Sequence, residues 1–254
     1  MSSSTSRPDT IVWITGATSG IGEAMAATVP YPSARVINIA RRAHPTLENV
    51  QADISEPAGW DTIIEHLRRE LRTFTGKRAI FVHNAFVPEP VGFIGDIDDV
   101  GYRRQVMGTV AAPAIIGDAF IRNLPDGVEG GLVMMSSAAA RVPYAGRACY
   151  GAGKAAMEQW VRVVRLELAE RRPGSWAVAI RPGAVDTPSL RADAAKDPEV
   201  NPTALAIREA LAAGLVDTAE FAARRIWEVL PPAPGSRSVV LLGEMIAPPR
   251  TETS

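Results

Sequence analysis

From Thr10 to Val29 the chain passes from TIVWIT through the glycine-spaced turn TGATSGIG into GIGEAMAATV, and this hand-over limits the possible folds more than any other stretch. A short β-branched run closed by glycine reads as a buried strand, and the longer segment behind it as a helix. The alternation then recurs. ARVINIA, ENVQAD, RAIFVHNA, GGLVMMSS, SWAVAIRP and RSVVLL read as six further strands. Strands alternating with helical segments predict crossover units and a mostly parallel sheet. The expected fold is a single-domain, doubly wound α/β fold of about seven parallel strands with helices on both faces.

Two of the intervening segments carry local signals. SEPAGWDTIIEHLRRELRTF opens on Ser55, a predicted N-cap, with Pro57 in the first turn. DDVGYRRQVMGTVAAPAIIGDAFIRNL is interrupted by Gly108, Pro113 and Gly117, which argues against a uniform helix. From Thr187 to Leu230 the chain turns helical and alanine-rich.

The chain has 254 residues, 46% of them hydrophobic, enough for one sizeable core. Its 27 basic and 28 acidic residues are spread evenly, so no basic face invites nucleic acid. The single cysteine, Cys149, rules out an internal disulfide and fits a reducing, cytoplasmic setting. Beside Tyr150 it reads as a small packing residue rather than as a nucleophile. MSSSTSRPDT lacks the apolar core of a secretion signal, and no apolar run approaches membrane-spanning length. We expect a tail over 1–9, a domain over 10–246 and a second tail over 247–254. His44, His66 and His83 lack metal-ligand spacing, so no metal is expected.

The turn supplies Gly16, Thr18, Ser19, Gly20, Ile21 and Gly22. Between a strand and a helix, missing side chains let backbone N–H groups approach a pyrophosphate at the positive helix end. The same spacing fits a plain tight turn, and it differs from G-x-G-x-x-G. At the end of the second strand an acid would hold adenosine ribose hydroxyls and repel a 2′-phosphate. INIARRAH places Arg41 and Arg42 there instead. Guanidinium suits a phosphate, which favours NADP(H), although two solvated surface arginines would read the same way.

RACYGAGKAAMEQW sets Tyr150 and Lys154 four residues apart, on one face of a helix. A tyrosine hydroxyl titrates near about 10, too high for proton transfer near neutrality, and an adjacent ammonium is expected to bring it down. Ser136 and Ser137 end the fifth strand at the carboxyl edge, where such sheets bind ligands, so one hydroxyl can polarise a carbonyl. Taken alone, the Tyr and Lys pair also fits an amphipathic helix with a snorkelling lysine.

With these residues in view, the chain resembles the short-chain dehydrogenase/reductase family from about Ile11 to the last strand. TGATSGIG is similar to that family's T-G-x-x-x-G-x-G loop, and YGAGK to its Y-x-x-x-K. The resemblance implies a Rossmann-type fold with Ser137, Tyr150 and Lys154 as catalytic residues. Asp53 and Ile54 would contact adenine, and Asn84 and Ala85 the cofactor. RPGAVDTP would bring Pro182, Gly183, Val185 and Thr187 to the nicotinamide. HNAF departs from the family's N-N-A-G, putting Phe86 at the glycine, where it should narrow the space beside the ring. Thr109 falls at the family's helix asparagine, which serves a proton path to the lysine. Within the family the resemblance leans to the sepiapterin reductase and benzil reductase group, which reduces ketones and vicinal dicarbonyls.

The expected activity is NADP(H)-dependent hydride transfer between nicotinamide and a ketone or secondary alcohol, with Tyr150 as proton donor. The rival is a sensor or scaffold that binds NADPH without turnover, favoured by Thr109 and Phe86. There is no G-x-S-x-G elbow to suggest a hydrolase. Phe86, Ala138, Tyr144 and Leu190 are candidate pocket residues, and 187–215 a capping segment. The resemblance implies a homodimer or homotetramer, with Ala155 and Ala156 allowing close helix approach. Met157 and Trp160 read as core or as an interface stripe.

Overall fold

A computed structural model describes residues 8–233 and 235–247. Most of the expected tails, 1–7 and 248–254, lies outside the described residues. Seven strands form one parallel sheet in the order β3-β2-β1-β4-β5-β6-β7. They are β1 (Thr10–Thr15), β2 (Arg35–Ala40), β3 (Glu48–Gln51), β4 (Arg78–His83), β5 (Glu129–Met135), β6 (Trp176–Arg181) and β7 (Val239–Leu241). The order reverses between β1 and β4, which opens a crevice at the carboxyl edge.

Every residue of β1 is buried, because helices cover both faces of the sheet. Ile11 and Trp13 point to one side, where α2 (Pro57–Thr73), α4 (Ala112–Asn123) and α5 (Ala148–Arg171) pack with Leu67, Phe120 and Val161. Val12 and Ile14 point to the other, against α1 (Gly20–Ala27) and α8 (Ala219–Glu228) with Met25, Ile226 and Trp227. Alternate residues of a strand face opposite ways, so each strand feeds two cores.

Two local expectations change. Ser55 is not the N-cap of α2; Glu56 holds that position and Pro57 begins the helix. The Ser55 hydroxyl instead donates to Asp53 Oδ1 at 2.6 Å, a charge-assisted bond that a helix N–H would have to displace. ENVQAD stops pairing at Gln51, so Asp53 lies just past the strand. The interrupted segment resolves into α3 (Asp99–Val106), one π-helical turn at Met107–Ala111, and α4. The extra residue of that turn accommodates Gly108 and Thr109 without ending the helix. Met157 and Trp160 both pack into the core beneath α5. No helix among the described residues is long and apolar enough to cross a membrane.

Candidate active site

The glycine turn joins β1 to α1 with Gly16 at φ 74° and Gly20 at φ 57°, a region that side-chain-bearing residues rarely enter. A Cβ on Gly22 would stand 2.2 Å from the Gly16 carbonyl oxygen, so this position accepts only glycine. Two asparagines hold the turn. Asn84 Nδ2 donates to the Thr15 and Gly16 carbonyls at 3.1 and 3.4 Å, and the Thr15 hydroxyl accepts from the Asn84 and Ala85 amides. Asn38, buried in the middle of β2, accepts from the Ala17 amide at 3.1 Å and donates to the Arg42 carbonyl. Asn38 therefore links the glycine turn to the arginine turn. Its signal was a lone polar residue inside an apolar strand. The first turn of α1 has no side-chain cap, which leaves its N–H groups facing the crevice from Ser19 onward.

Arg41 and Arg42 are exposed beyond β2, and Thr18 lines the same edge half-buried. Arg41 Nη1 comes within 3.9 Å of Asp53. Arg104, from α3, reaches the same carboxylate at 2.8 Å and also donates to the Ser55 hydroxyl. Asp53 titrates below its ordinary value because bonds from Ser55 and Arg104 outweigh its partial burial. Arg104 came from a helix distant in sequence, so nothing in the local pattern marked it. Ile54 is buried, and its carbonyl accepts from the Trp60 indole at 2.6 Å.

Tyr150 and Lys154 lie one turn apart on α5, over the end of β5. With Ser137 they line a cavity of about 230 Å³, together with Ile21, Asn84 and the stretch Pro182 to Val185. The four candidate pocket residues Phe86, Ala138, Tyr144 and Leu190 line it too. The two serines part company. Ser136 turns inward and donates to Glu158 at 2.7 Å, whereas Ser137 faces Tyr150 and lowers its pKa. Glu158 is buried and also accepts from Arg181 through two bonds of 2.6 Å, tying α5 to the end of β6. Thr187 N-caps α6 (Pro188–Ala194) and closes over Gly20. With α7 (Ala204–Ala212), α6 roofs the cavity, supplying Leu190, Asp193 and Ile207. Arg147 and Asp193 form a largely buried ion pair on its wall, which also escaped the sequence reading.

One expectation is corrected, and two departures from the family pattern take a definite form. Lys154 does not make the Tyr150 phenol acidic here: burial pushes that hydroxyl up, and only Ser137 and Arg147 oppose it. The Lys154 ammonium turns instead to the Met135 carbonyl at 2.5 Å, with the Phe86 and Tyr150 ring centres 5.4 and 5.6 Å away. It is 2% exposed, and burial brings it down from 10.5 to about 7. Thr109 makes no bond to Lys154. Its hydroxyl accepts from the Val87 amide at 3.2 Å and donates to the Val87 carbonyl, while its backbone and methyl lie against Gly153. Phe86 lines the cavity and packs against Tyr150 in a tilted contact, ring centres 5.2 Å apart at 51°.

The short chain dehydrogenase family model matches residues 10–198. Among curated proteins, benzil reductase ((S)-benzoin forming) of Bacillus cereus is 25% identical over 188 residues, covering 69% of this chain and 76% of that protein. An uncharacterised oxidoreductase of Schizosaccharomyces pombe is 30% identical over 203 residues, covering 74% and 76%. A short chain dehydrogenase from Burkholderia cenocepacia, solved in complex with NADP, superposes with a TM-score of 0.69 at 22% identity, covering 94% and 97% of the two chains.

Proposed function

Since the chain belongs to the short-chain dehydrogenase family, we propose that it transfers hydride between NADP(H) and a ketone or secondary alcohol. One observation carries the reading: the Ser137 and Tyr150 hydroxyls and the Lys154 ammonium converge on one cavity bounded by Pro182 to Val185. A dinucleotide fits the edge beside it. The glycine turn brings bare backbone to the end of α1, and side chains there would collide with the turn itself.

Bound NADPH would supply the hydride. The protein's own residues do the rest. Ser137 donates a hydrogen bond to the substrate oxygen, and Tyr150 gives that oxygen its proton. Lys154 binds ribose and, turned from Met135 toward the phenol, offsets the burial that holds the Tyr150 proton too tightly. Arg41 and Arg42 hold the 2′-phosphate, and Asp53 and Ile54 the adenine. Gly16 to Gly22 cradle the pyrophosphate, with Asn84 and Ala85 behind them. Val185 and Thr187 orient the nicotinamide. The segment 187–215 caps the substrate, and Phe86, Ala138, Tyr144 and Leu190 shape its apolar end.

The similarity to benzil reductase supports aromatic ketones and 1,2-diketones as the first substrates to try. Two chains pair through α4 and α5, where Ile115, Val163 and Leu166 are exposed beside Ala155 and Ala156. The buried Cys149 suits a reducing cytoplasm.

In a panel of such ketones with NADPH, followed by absorbance, the parent should turn over. Tyr150→Phe should lose at least about a hundredfold in kcat while keeping its affinity for NADPH. A Tyr150→Phe protein as fast as the parent refutes the role of Tyr150. A parent inactive across the panel but binding NADPH tightly supports the rival reading, a cofactor sensor.

A further inference from the structure

His83 ends β4 fully buried, and neither ring nitrogen has a hydrogen-bond partner among the described residues. Native interiors keep few unpaired polar groups, and an apolar side chain would fill this space without the penalty. Phe81, two residues back on the same face, belongs to the core packed under α5. The imidazole therefore lies on the α5 side of the sheet. His83 is in register with Met134, and the next residue along β5, Met135, is the one whose carbonyl receives the Lys154 ammonium. Burial first, and then the Lys154 charge beside it, holds the imidazole down at about 3, hence neutral.

The donors and acceptors match. An ammonium carries three N–H groups, and Met135 takes one. The Phe86 and Tyr150 rings offer only their faces, and the Thr109 hydroxyl is committed to Val87. A neutral imidazole always keeps one accepting nitrogen.

We propose that His83 is a positioning residue for Lys154: its accepting nitrogen takes a hydrogen bond from the ammonium through one buried water, and keeps Lys154 charged beside the cavity. The functional consequence rests on Lys154 serving a reductase site; the contact itself does not.

The test is an NMR titration of the Lys154 Nζ in the cofactor-free protein, its signal assigned by loss in Lys154→Met. His83→Leu removes the acceptor, so the Lys154 midpoint should fall by about one pH unit, a tenfold loss of proton affinity. His83→Asn keeps an amide oxygen and should titrate with the parent. A Leu variant that titrates with the parent, or an Asn variant that falls as far as Leu, overturns the proposal. If His83→Leu does not fold, the imidazole ¹⁵N spectrum of the parent decides. The accepting nitrogen must shift when Lys154→Met removes the donor, and an unmoved signal overturns the contact. In turnover, the alkaline limb of kcat should move to lower pH in His83→Leu and not in His83→Asn. A parent that reduces no ketone but shows the titration shift defeats the reductase reading alone. An active parent without the shift defeats the His83 contact alone.

Discussion

Replacing Lys154 by methionine should make the cofactor-free protein more stable, by an amount that depends on pH. The Lys154 side chain is buried, and its value falls from 10.5 to about 7. At about 1.4 kcal/mol per pH unit, the folded state carries a penalty of about 5 kcal/mol for holding the charge. The sign follows from proton counting. Between about pH 7 and 10.5 the unfolded chain binds a proton that the folded chain has released, so parental stability rises with pH across that window. Below it both states hold the proton and the full penalty is present. About 4 kcal/mol of the penalty remains at pH 7 and about 2 kcal/mol at pH 9. Methionine removes it but orphans the Met135 carbonyl, which costs about 1–3 kcal/mol at every pH. The variant should therefore be more stable by about 1–3 kcal/mol at pH 7, with the gap narrowing by about 2 kcal/mol by pH 9. Urea denaturation of both proteins at the two pH values measures this. A gap that stays constant or widens refutes the buried-ammonium argument.

Alanine at both Arg41 and Arg42 should weaken NADPH binding at least tenfold, roughly the worth of one charge-assisted bond, and leave NADH binding unchanged; calorimetry with each cofactor checks it. Glu158→Gln removes one of the two bonds to Arg181, whose side chain is 13% exposed, and leaves that guanidinium largely enclosed without its anion. A loss of about 3 kcal/mol, or about 6–12 °C in melting temperature, is expected by calorimetric scanning. Sedimentation at micromolar concentration should show a dimer or tetramer, and Leu166→Glu should shift it toward monomer. A monomeric parent would remove that interface.

The sequence pattern located all seven strands to within about two residues, because all but β3, which has only Val50 as an apolar residue, are short runs rich in apolar residues closed by polar or glycine residues. The convergence of Ser137, Tyr150, Lys154 and Pro182 to Val185 was readable for a related reason. Ser137 and Pro182 to Val185 follow strand ends, Tyr150 and Lys154 share the first turns of the helix after β5, and a parallel sheet collects such positions at a single edge. Ser55 was misread because an N-cap signal counts only backbone donors, whereas Asp53 offered a charged acceptor two residues away. Thr109 could be matched to a position but not to a direction.

Order along the chain was enough to dictate the parallel sheet, the glycine turn and the face shared by Tyr150 and Lys154, since these depend on local geometry and repeating spacing. Only the packed molecule decided where Lys154 sends its ammonium, that Ser136 turns inward to Glu158, that Arg104 reaches Asp53, and that His83 is left without a partner among the described residues. Those outcomes depend on burial and on groups far apart in sequence. The electrostatic cost of enclosing a charge or a ring nitrogen arises only when helix and sheet close over it.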